Sequence, residues 1–99
     1  MNITSTILTK TAVETTSNAN YNIEYTIIDE KLNRVQVSIE ALAAGENIER
    51  PYLGNIYWEH SNLSCNLPVE DSCVTAPYFV DFDMIMNKIK ENMIAEAAG

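Results

Sequence analysis

The stretch YNIEYTIIDEKLNRVQVSIEAL, residues 21–42, decides the fold. Tyr21, Ile23, Tyr25 and Ile27 recur at every second position, and so do Val35, Val37 and Ile39. Successive side chains of a strand point to opposite faces, so each set lines one face of an extended segment. The polar DEKLN between them supplies a turn, and adjacent strands joined by so short a connection pair antiparallel. A β-hairpin is expected over 21–41. Its apolar face is backed by a second face carrying Glu24, Thr26, Gln36, Ser38 and Glu40.

The segments on either side extend the same pattern. Upstream, MNITSTILTKT (1–11) alternates Ile3 and Ile7 with polar residues, which predicts a Thr-rich peripheral strand, and AVETTSNAN (12–20) predicts a polar connection, either a wandering loop or a short continuation of the strand. Downstream, Gly45 and Pro51 punctuate a loop over 42–51. A second hairpin is expected over 52–67. Ile56 and Trp58 share one face, Asn55, Tyr57 and Glu59 the other, and Leu63, Cys65 and Leu67 alternate with Ser64 and Asn66 on the returning strand. Gly54 reads as a bulge or a close backbone approach, and Pro68 stops the last strand.

After a loop over 68–80 the period changes from two to that of a helix. Phe82, Ile85, Met86, Ile89 and Met93 form one stripe over 81–95, Asp81 or Asp83 is placed to cap the start, and 96–99 is expected to fray. The fold class is therefore α+β: an antiparallel sheet of four or five strands in β-β-β-β-β-α order, with the C-terminal helix packed on its apolar face.

Composition bounds the function. The 99 residues suffice for one domain, 1–99, burying about two thirds of the surface of the unfolded chain. The formal net charge of -8 disfavours direct binding to nucleic acid, since no basic surface is available to displace counterions. Residues 1–58 hold seven acids and four bases, and residues 59–99 seven acids and two bases, so the excess is spread along the chain. An acidic protein can also imitate DNA and occupy a nucleic-acid-binding partner, although acidity more commonly serves solubility. The N-terminus shows no signal-peptide pattern and no run of residues is long and apolar enough to span a membrane. A cytoplasmic or virion-associated protein without membrane contact is expected. Asn2 and Asn62 match a glycosylation pattern that needs a secretory route.

The rarer residues cluster at NIYWEHSNLSCNLPVEDSC, residues 55–73, which contains His60, Trp58, Cys65 and Cys73. Cys65 alternates with Leu63 and Leu67 and is expected to be a buried thiol. A Cys65–Cys73 disulfide needs an oxidising compartment. Zinc sites use tighter His and Cys pairs than His60, Cys65 and Cys73 provide, even with Glu59 or Asp71 added. A hydrolytic Cys73–His60 pair oriented by Asp71 or Glu59 is the enzymatic alternative, but it has no spacing that distinguishes it from coincidence. Gly45, Gly54 and Gly99 are too dispersed for a phosphate-binding loop.

No cofactor, metal or small-molecule ligand is expected. The reading is a non-enzymatic protein-interaction or assembly protein, such as a subunit or accessory of a larger complex like a viral particle, that binds a protein partner or itself. The alternatives are an inhibitor or DNA mimic and the Cys73/His60 hydrolase. Candidate contact residues are Ile48, Arg50, Tyr52 and Leu53 in the NIERPYLG loop, and Met84 and Ile94 off the helical stripe. The first strand, at an open sheet edge, is a further candidate for pairing with another subunit.

Overall fold

The computed structural model describes residues 5–42, 52–67 and 75–98. The chain forms two compact units, Met1–Pro68 and Val69–Gly99.

The first unit is a five-stranded antiparallel sheet: β1 (Ile7–Thr15), β2 (Asn20–Ile28), β3 (Lys31–Glu40), β4 (Tyr52–Glu59) and β5 (Asn62–Asn66). Spatial order follows chain order, β1-β2-β3-β4-β5. The register explains the alternation in the sequence. Ile23 stands opposite Val37, which stands opposite Ile56, and that opposite Cys65; the next row runs Tyr25, Val35, Trp58, Leu63. Opposed residues share a face, so each row is one line of the apolar side. Tyr21, Val35, Val37, Ile39 and Ile56 are fully buried, which places the core on the three central strands.

Two bulges keep imperfect alternation in phase. Ile27 opposes Leu32 while Thr26 opposes Arg34, so Asn33 is the extra residue of β3. Without it, Leu32 and Val35 could not face the same way. On β4, Leu53 is the extra residue, between Ile39↔Gly54 and Glu40↔Tyr52. Gly54 beside it has φ +154, and a Cβ there would lie 2.2 Å from the Asn66 carbonyl oxygen. The residue therefore allows β5 to approach β4 in a conformation that other L residues resist.

Both tight hairpins turn on two residues with positive φ: Asp29 (50°) with Glu30 (69°), and His60 (51°) with Ser61 (65°). Two left-handed residues match the right-handed twist of the flanking strands. The first turn is thus shorter than the expected DEKLN, and Lys31, Leu32 and Asn33 belong to β3.

The first strand ends later than expected. Ala12, Val13, Glu14 and Thr15, read as part of a polar connection, continue β1 and pair with Ile23, Asn22, Tyr21 and Asn20. The connection shrinks to Thr16–Ala19, closed by a Thr16 N–H donating to the Ala19 carbonyl at 3.0 Å and an Asn18 N–H donating to Thr16 Oγ1 at 3.1 Å. Cys65 is also corrected. It faces the apolar side as expected, but as part of an edge strand it is exposed, with a free thiol.

The second unit is a 23-residue helix, α1 (Ala76–Ala98). It starts five residues before the expected 81, because Pro77 falls in the first turn, where its lack of an N–H is harmless. The Tyr78 N–H donates to the Thr75 carbonyl at 3.1 Å. Asp81 and Asp83 consequently lie inside the helix rather than at its cap, and Asp81 is buried. The Ala-rich 96–98 remain helical instead of fraying, in keeping with alanine's high helix propensity. The expected stripe is present: Phe82, Ile85 and Ile89 are buried, and Met86 and Met93 half-buried.

Candidate interaction edge

Among the described residues, no strand pairs with the outer edge of β1. Which of its backbone groups face outward follows from the ends of the ladder. The Asp29 N–H donates to the Thr6 carbonyl at 2.9 Å, and the Thr16 N–H to the Ala19 carbonyl at 3.0 Å. Both bonds join residues opposite each other in the β1–β2 register, and both use even-numbered residues of the first segment. Along an antiparallel strand, successive residues direct their N–H and C=O alternately to one neighbour and the other. No register shift interrupts β1, so Leu8, Lys10, Ala12 and Glu14 bond to β2, while Ile7, Thr9, Thr11, Val13 and Thr15 present theirs outward.

Side chains along this edge suit an interface. Ile7 is 62% exposed, Leu8 49% and Val13 65%. The strand contains no Pro and no bulge, two of the devices that blunt sheet edges, and its two charges, Lys10 and Glu14, stand on the apolar side opposite Tyr25 and Tyr21. Two shallow depressions border it. One, of about 360 Å³, lies beside Thr11 and Val13 and reaches Asn22, Glu24, Gln36 and Ser38; the other, of about 400 Å³, lies among Thr6, Leu8, Ile27, Asp29 and Glu30.

The outer face of the sheet is polar and internally bonded. Arg34 reaches Glu24 Oε1 at 3.5 Å and Thr26 Oγ1 at 3.4 Å. Asn20 and Asn22 both donate to Glu40 Oε1, the former at 3.1 Å. Tyr57 donates its hydroxyl to Glu59, whose other carboxylate oxygen lies 3.5 Å from His60 Nε2. That hydrogen bond to Glu59, with desolvation and the Glu59 charge adding to it and Arg34 opposing, holds the Tyr57 phenol above its ordinary pKa of 10.0.

The residues expected to form a contact patch fall in different places. Ile48 and Arg50 lie outside the described residues, as do Asp71 and Cys73 of the hydrolytic alternative. Tyr52 is exposed at the start of β4 and accepts a hydrogen bond from Asn55 Nδ2 at 2.7 Å, and Leu53 is half-buried in its bulge. On α1, Met84 is half-buried and Ile94 is 69% exposed. These two are about 15 Å apart along the axis and about 80° apart around it. Among the described residues no group of three His, Cys, Asp or Glu side chains stands ready to hold a metal, and no helix is long and apolar enough to cross a membrane.

Sequence reasoning singled out the first strand but missed Val13 and Thr15, because it ended the strand at Thr11. The available signal was the absence of Gly and Pro from 12–15. Comparison with protein-family models, curated proteins and solved structures finds no match.

Proposed function

We propose that this protein is a non-enzymatic interaction or assembly module that recruits another polypeptide as a strand along the outer edge of β1. The observation that carries the reading is the alternation of outward backbone groups at Ile7, Thr9, Thr11, Val13 and Thr15 on an exposed strand of nine residues. In strand addition, main-chain hydrogen bonds give affinity and flanking depressions select side chains.

Thr11→Pro tests this. It deletes one outward N–H and projects a ring into the position of an incoming strand, yet removes no bond to β2. A partner retained from source lysate by the wild type and lost with the folded variant supports the reading. An identical retained set contradicts it.

A further inference from the structure

We infer that the strand this edge accepts is β1 of a second copy, in a two-fold antiparallel pairing centred on Ala12. The inference rests on the proposed strand recruitment at β1 and names the partner.

A two-fold axis perpendicular to the sheet keeps the faces of both copies in register, so opposed residues must share parity, and the register is defined by the residue on the axis. Centring on Lys10 opposes lysine with lysine, and centring on Glu14 opposes glutamate with glutamate. Centring on Thr11 sets Lys10 against Ala12 and Glu14 against Leu8; centring on Val13 sets Glu14 against Ala12. Only the Ala12 register opposes Lys10 of each copy to Glu14 of the other, forming two cross-strand charge pairs. Since even-numbered residues of β1 direct their backbone toward β2, these are non-hydrogen-bonded positions of the new ladder, where side chains approach most closely.

The same register sets Thr11 against Val13 and Thr9 against Thr15, residues whose backbone groups already face outward. About eight main-chain hydrogen bonds form across the axis. The small Ala12, exposed, meets its own copy at the centre without steric conflict. The two sheets become one continuous sheet.

Long-range charge favours the same place. Each chain carries -8, so two copies repel over most approaches. Within β1 the only charges are Lys10 and Glu14, which sum to zero, so this edge is a locally neutral strip on an acidic protein.

Lys10 and Glu14 also interact within their own chain, so the test uses mixing as well as loss. Light scattering after size exclusion is expected to give the wild type twice the 11.1 kDa chain mass at high concentration, falling to the single mass on dilution. Lys10→Glu and Glu14→Lys, each alone, oppose like charges twice across the axis and weaken association about tenfold. An equimolar mixture of the two variants restores both opposite-charge pairs and recovers the dimer as a heterodimer. An effect confined to each chain cannot produce that recovery.

A wild type that stays monomeric at about 1 mM, a concentration that saturates even weak association, overturns the self-pairing. So does a mixture that fails to recover the dimer. If Thr11→Pro still releases a captured partner while the wild type is monomeric, strand recruitment stands and only self-pairing is lost. A dimer unaffected by Thr11→Pro overturns the self-pairing, and retention of every captured partner by that variant overturns strand recruitment.

Discussion

β1 and β5 both close the sheet, but they do so differently. β5 has five residues, approaches β4 closely through Gly54, and is followed within two residues by Pro68. β1 has nine, no bulge and no proline, and directs alternate backbone groups outward along its whole length. Both expose apolar side chains, Leu63 on one and Val13 on the other. Apolar exposure therefore does not separate the two edges. Length and freedom from interruption do, because a recruited strand gains bonds in proportion to the ladder it can form, and a short edge is among the devices that prevent pairing. The comparison teaches that, among the described residues, β1 is the longer and less interrupted of the two edges.

Substitutions can break or sharpen this contrast. The largest effect is expected at the β5 side. Gly54→Ala directs a methyl group onto the Asn66 carbonyl and imposes a strained φ, with an expected loss of about 3 kcal/mol in urea unfolding. Next, proline at adjacent positions of β1 separates its two sets of backbone groups. Ala12→Pro removes a bond to β2 and should cost about 3 kcal/mol, whereas Thr11→Pro should change stability by less than about 1 kcal/mol while abolishing association. Equal losses of stability at the two positions would refute the assigned alternation.

Smaller effects follow. Val13→Lys adds a second lysine to the edge strand, on the polar face beside the proposed seam, and should weaken association about tenfold, while Leu63→Lys should leave it unchanged, both read by light scattering. At the hairpin tips, Glu30→Gly relieves a left-handed non-glycine residue and should stabilise the sheet by about 1 kcal/mol in thermal unfolding. At Tyr57, the raised phenol pKa means that the stabilising hydrogen bond to Glu59 is present below pH 10 and is lost as pH rises through the folded-state value. Ultraviolet titration of the wild type against Tyr57→Phe should show a late-ionising component lost in the variant.

The central hairpin was legible because its apolar residues alternate without exception from Tyr21 to Ile27 and from Val35 to Ile39, and a two-sided sheet leaves a register no freedom to slip. Element order followed from the same periodicity, which left the strand number at four or five. The end of β1 was not legible, since Lys10, Ala12 and Glu14 on the apolar side imitate a polar connection. Pro77 read as part of a loop, although the first turn of a helix accepts it. Cys65 shows the limit of alternation: periodicity assigns a face, but burial depends on neighbours on both sides, and an edge strand has only one. The candidate site was legible in outline, as a Thr-rich strand at a sheet edge. Which backbone groups point outward depends on pairing partners and could not be read from residue types alone.

Amide hydrogen exchange along β1, followed by NMR over a hundredfold range of protein concentration, tests the central claim most directly. The amides of Leu8, Lys10, Ala12 and Glu14 should be protected at every concentration, and those of Thr9, Thr11, Val13 and Thr15 should gain protection only as concentration rises. Odd-numbered amides that exchange freely at all concentrations would contradict the self-pairing, and protection that shows no alternation would contradict the assigned outward edge on which both proposals rest.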